Sequence, residues 1–145
     1  MSLIRQAVES IGAFGPGRER DRARALDLFH QVLERMERAL EIWQAFRDSA
    51  PETGDRFTAV LWMGAEPARE LHALYLENKT AAGSLTELTG VRFKDSLNLA
   101  EDLDIVQPYE QLGPKESGRD RAEKAIRIQT ERTEKLKAAL AALDR

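Results

Sequence analysis

Residue types that do chemistry are sparse in this chain. There are two histidines, His30 and His72, and no cysteine, which removes thiolate metal sites, cysteine nucleophiles and disulfides together. Asp27, His30 and Glu34 fall at i, i+3 and i+7, on one flank of a helix. Carboxylates and imidazoles spaced this way converge on metal ions inside four-helix bundles. With His72 from a second helix they form the metal-ligand set that the sequence offers. Di-iron bundles take an acid-x-x-His pair from each of two helices, whereas here Arg69 stands three residues before His72 and Glu70 only two before it. The set is short of donors, and no cofactor is implied. Gly15-Pro16-Gly17 lacks the Lys-Ser/Thr that completes a P-loop. No nucleophile stands beside a base, so catalytic chemistry is not evident.

Charge offers a second kind of site. Arg18, Arg20, Arg22 and Arg24 cluster where a helix begins, and Arg119 and Arg121 do so near the last helix. Cations oppose the helix macrodipole there, by ~0.3–1 kcal/mol when exposed. An anion or an acidic partner at the free backbone N–H groups would offset that cost. Glu19, Asp21, Glu116 and Asp120 are interleaved and neutralise part of the charge. Asp95, Glu101, Asp102, Asp104 and Glu110 form an acidic stretch without one Lys or Arg across 95–110. Basic helix starts and an acidic surface are complementary between two copies of one chain. The net charge of −3 argues against nonspecific nucleic-acid binding, because no overall positive excess faces phosphate. A nucleic-acid-associated subunit using the arginine clusters is therefore the secondary reading, alongside a metal or small-ligand site inside the bundle.

The elements that position these residues are helices. Ala and Leu supply 38 residues against 11 for Ile and Val, a helix-forming balance. The expected fold is all-α: a single domain over 1–145, an antiparallel up-down-up-down four-helix bundle with a short amphipathic leader. The leader spans 1–14 and the bundle helices 18–49, 55–80, 84–106 and 117–144. Leu26, Phe29, Leu33, Met36, Leu40 and Trp43 alternate steps of three and four, with Ala25, Val32, Ala39 and Phe46 beside them. Gly64 to Pro67 signals a kink or restart in the second helix. Ser84 and Glu87 have capping-box spacing at the start of the third. Ser117 and Asp120 repeat that signature before the last helix. Its core stripe runs Ala122, Ile126, Gln129, Thr133, Leu136, Leu140, Leu143, with Gln129 and Thr133 as polar interruptions suited to bonding across the bundle or lining a cavity. Ile4, Val8 and Ile11 would lay the leader across one end.

Two apolar features remain. Trp43, Phe46, Phe57 and Trp62 straddle the first interhelical turn, where they pack together or line a small apolar pocket. Leu28, Ile42, Trp62, Leu76 and Ile128 fall off the core stripes of their helices, and several large residues of this kind form a patch that a symmetric dimer covers. The sequence thus points to a small helical protein acting by protein–protein interaction or self-assembly, most simply as a homodimer, with another protein as the alternative partner. No membrane span or signal peptide is evident, and the expected setting is a bacterial cytoplasm.

Overall fold

The structure, a computed structural model, describes residues 3–50, 63–89, 103–108 and 117–143. Four α-helices lie within them: α1 (Leu3–Gly12), α2 (Glu19–Ser49), α3 (Ala65–Thr89) and α4 (Gly118–Leu143). There is no strand among the described residues. The fold is all-α, as the sequence implies.

The 31-residue α2 spans ~46 Å at ~1.5 Å per residue and is the central element. Gly17, with φ 87°, turns the chain into it, and the bend at Ala50, with φ −75° and ψ 145°, ends it. Its fully buried positions are Ala25, Phe29, Val32, Met36, Ala39 and Trp43, with Ile42 and Phe46 nearly so. The burial axis is rotated from the expected one. Leu26, Leu33 and Leu40 are only half-buried, flanking the row built on Ala25, Val32 and Ala39. The cause is that α2 packs against α3 on one side and α4 on the other, and alanines at 25 and 39 let those neighbours approach closely.

Both partners run antiparallel to α2. Arg18 of α2 reaches the Leu88 carbonyl, Arg35 reaches Asn78 and Arg38 reaches Glu70, so ascending residues of α2 meet descending residues of α3. Across the other seam Glu37 pairs with Lys137, while Trp43 lies under Arg121. Helix α1 buries Ala7, Val8 and Ile11 across the end formed by the start of α2 and the C-termini of α3 and α4. This is the position the amphipathic leader implied. At that end the Cβ position of Gly12 lies 3.3 Å from the Leu143 side chain.

The expected boundaries fail in the middle of the chain. Gly64, at φ 88°, starts α3 afresh, but the helix then runs unbroken through Gly83 and Ser84 to Thr89. Ser84 and Glu87 are thus interior helix residues and not a capping box. Ala81, Ala82 and Leu85 extend the buried face past the expected break, and the ~1 kcal/mol cost of an interior glycine is small beside that burial. The hydroxyls of Thr80, Thr86 and Thr89 bond to carbonyls four residues back, so they add no competing cap.

Residues 103–106, expected to end a third bundle helix, are not helical. They form a buried strip without regular secondary structure, with Leu103, Ile105 and Val106 at 1% exposure or less. An irregular backbone in a core needs partners for its N–H and C=O groups, and here side chains from three helices supply them. Trp43 Nε1 donates to the Val106 carbonyl at 3.0 Å, and Asn78 Nδ2 to the Leu103 carbonyl at 3.0 Å. Gln129 accepts from the Val106 N–H at 2.9 Å and donates to the Asp104 carbonyl, which Arg132 also reaches. Gln107 donates back to the carbonyls of Leu71 and Ile105. The two-sided Ser117–Asp120 cap does form: Asp120 N–H donates to Ser117 Oγ and Ser117 N–H to Asp120 Oδ2.

Candidate interaction surface

The metal reading loses its geometry first. Asp27, His30, Glu34 and His72 are all exposed. The α2–α3 register pairs Arg35 with Asn78 and Arg38 with Glu70, which puts His72 level with the middle of α2 and leaves His30 more than one turn away along the axis. Asp27 accepts a hydrogen bond from Gln31 at 2.9 Å, and His72 stacks on Tyr75 with ring centroids 6.0 Å apart. No group of three metal-ligating side chains occurs among the described residues.

The arginine clusters divide. Arg18 is tied to Asp21, to the Leu88 carbonyl and to the Phe14 ring. Arg20, Arg22 and Arg24 are exposed, and Arg119 is half-buried. Arg121, expected as part of an anion site at a helix start, is instead 98% buried. Its guanidinium lies 5.3 Å from the centre of the Trp43 ring and donates to the Gln107 carbonyl. It holds the buried strip, as Trp43 and Gln129 do. A buried cation bonded to backbone carbonyl and aromatic face is part of the core. The arginines therefore do not present one basic face.

The apolar candidates also separate. Ile42 is 6% exposed: it sits on the α3 side of α2 and is buried within the single chain, contrary to the outer position expected for it. Ile128 is half-buried and packs against the core. Trp62 and Phe57 lie outside the described residues, whereas Trp43 and Phe46 meet edge to face, 5.9 Å between centroids. Of the acidic stretch, Asp104 is half-buried in the strip, and Asp95, Glu101, Asp102 and Glu110 lie outside the described residues.

Leu28 and Leu76 are brought together. They line one groove of about 370 Å³ on the outer face of the α2–α3 pair, with Gln31, Arg35, Glu77 and Ala81. Leu76 is 49% exposed, the only large hydrophobic so exposed among the described residues. A second groove of about 510 Å³ follows along the same seam, where Ile42, Ala45, Phe46, Met63 and Pro67 form an apolar floor under Arg38, Glu41, Glu66 and Glu70. Both depressions lie along one stripe of α2 that reads 28, 31, 35, 38, 42, 45, 49 in steps of three and four. They are one seam, crossed by two clamps. Arg35 donates to Asn78 at 2.6 Å and approaches Glu77. Arg38 makes a forked pair with Glu70, 2.9 Å for both bonds, and also reaches Glu41 at 3.0 Å. The hydrogen bonds to Glu70, then to Glu41, favour the charged guanidinium and raise its already high pKa further.

Comparison with known proteins adds nothing to this geometry. No protein family, curated protein or solved structure matches the chain. No helix among the described residues is long and apolar enough to cross a membrane.

Asn78, Trp43 and Arg132 hold the buried strip without having been singled out for it from the sequence. A signal existed for part of the set, since Gln129 interrupts an apolar stripe and a buried amide needs a partner. Nothing in the sequence names the backbone atoms it binds.

Proposed function

We propose that the chain works through protein–protein contact, as a self-associating helical module whose outer α2–α3 seam is the contact face. The observation that carries this reading is the half-exposed Leu76 beside Leu28 in a groove between two long helices. A single exposed leucine is ordinary. A leucine pair in a concave seam, continuous with a second apolar-floored groove, is the form that a helix-packing interface takes. The clamps at Arg35 and Arg38 join the two helices across the seam. Self-association uses this face without requiring chemistry, in keeping with the dispersal of the candidate metal ligands and the burial of Arg121.

The test is a pair of substitutions on the seam. Leu28→Glu and Leu76→Glu each place a carboxylate in the apolar contact; Leu76 is half-exposed, whereas Leu28 also packs against the core, so circular dichroism must confirm that its variant keeps its helicity. Sedimentation at tens of micromolar should show the unsubstituted chain as a dimer and both variants as monomers of unchanged helicity. Variants that sediment as the unsubstituted chain does would overturn the assignment of this face.

A further inference from the structure

Charge is distributed along the seam so that one end complements the other. Arg24 and Arg20 continue the α2 stripe toward its start, one and two turns before Leu28. Both are exposed, and neither makes an ion pair among the described residues. At the opposite end Glu41, Glu66 and Glu70 surround the single cation Arg38 above an apolar floor. That is a formal charge of −2, and the Glu66 carboxylate has no ion-pair partner among the described residues. Between the two ends lie Leu28 and Gln31, with Leu76 across the groove.

Resting on the self-association proposed above, we infer its geometry: two copies pair through antiparallel α2 helices about a two-fold axis near Gln31, with Arg20 and Arg24 of each copy entering the Glu41–Glu66–Glu70 groove of the other. The sequence numbers fix the levels. In an antiparallel pair centred on residue 31, position 20 lies level with 42 and position 24 level with 38, beside Glu41 and the Arg38–Glu70 clamp. Arg20 and Ile42 each stand 11 residues from the centre, or ~16 Å along the helix. A two-fold axis makes the contact occur twice, once at each end, and brings Leu28 and Leu76 of both copies to the middle. The interface is then an apolar centre with charged ends. The strip from 20 to 42 is ~33 Å long and two helices wide at ~10 Å each, which gives roughly 650 Å² per copy, near the ~800 Å² of a specific interface. The acidic groove also rejects a parallel pairing, in which its carboxylates would face their own copies.

Charge exchange tests the register. Arg20→Glu with Arg24→Glu makes one variant, and Glu41→Lys with Glu66→Lys makes the other. All four positions are on the surface, and circular dichroism checks that helicity is kept. Each variant alone sets like charges against each other at both ends, and its dimer dissociation constant should rise by about tenfold or more. An equimolar mixture restores opposite charges at both ends and should recover a dimer near the original affinity. If both variants dimerise as the unsubstituted chain does, or if the mixture stays monomeric, the register is wrong while self-association through the seam survives. If the unsubstituted chain is itself monomeric, both the register and the proposed function fall. A second reading comes from Gln31→Cys in this cysteine-free chain: a residue on the axis meets its own copy, so mild oxidation should link nearly all of the protein as a disulfide dimer. A Glu123→Cys variant on the exposed face of α4 should stay unlinked, and equal linking of the two would overturn the axis.

Discussion

Replacing Gln129 by Ala should cost ~2–4 kcal/mol of folding stability, because this side chain holds the irregular strip in the core. Gln129 is fully buried and bonds the strip twice, accepting from the Val106 N–H at 2.9 Å and donating to the Asp104 carbonyl at 3.2 Å. Removing the acceptor leaves a buried N–H without a partner, worth ~1–3 kcal/mol. The Asp104 carbonyl keeps Arg132 as a donor, so the second bond adds only ~0.5–1 kcal/mol. The void left by the side chain supplies the rest. Gln129→Met keeps the volume and loses the amide, so the difference between the two variants separates packing from hydrogen bonding. Urea denaturation followed by circular dichroism gives both values, provided the slope with denaturant is unchanged. Amide exchange gives a local readout, since the Val106 N–H should be protected in the unsubstituted chain and exchange faster in either variant. A loss below ~0.5 kcal/mol for Gln129→Ala, the level of surface substitutions, would show that the strip is not held in this way.

The position of the core stripe can be read from Phe29→Ala and Leu33→Ala: the first should cost ~3–5 kcal/mol and the half-buried second about 1 kcal/mol. A loss for Leu33→Ala as large as that for Phe29→Ala would return the stripe to the one expected from Leu26, Phe29, Leu33, Met36, Leu40 and Trp43. The continuity of α3 is tested by Ser84→Pro. Inside a helix it should cost ~3 kcal/mol or more, whereas at a helix start between 80 and 84 it would be nearly neutral, and denaturant unfolding distinguishes the two.

The helical class, the ends of α2 and α4 and the docking of the leader were legible because they rest on strong local signals. Steps of three and four between large apolar residues require a buried helix face, and Gly17 and Pro51 bound the longest of them. The Ser117–Asp120 cap was legible for the same reason: it needs only residues three apart. The boundary between the second and third helices was not. Ser84 and Glu87 carry a capping signature equally well in mid-helix, and only packing of Ala81, Ala82 and Leu85 on α2 decides between the two. The buried strip was hidden because its partners, Trp43, Asn78 and Gln129, come from three helices at sequence distances of 23 to 63 residues. Of the interface candidates, Leu28 and Leu76 line one groove that no rule of sequence located; heptad position put them off the core stripes, and the α2–α3 register brought them together. Ile42 shows the limit of the same rule. A position that faces away from one partner helix faces another when a helix is packed on two sides.

Self-association through the α2–α3 seam is most directly tested by the mass of the unsubstituted protein in solution, measured by light scattering across a concentration series reaching tens of micromolar. A chain of 16.3 kDa paired through the seam should reach twice that mass and fall back toward 16.3 kDa on dilution or at high salt, as an interface with charged ends requires. A mass that stays at 16.3 kDa across the whole series would contradict it.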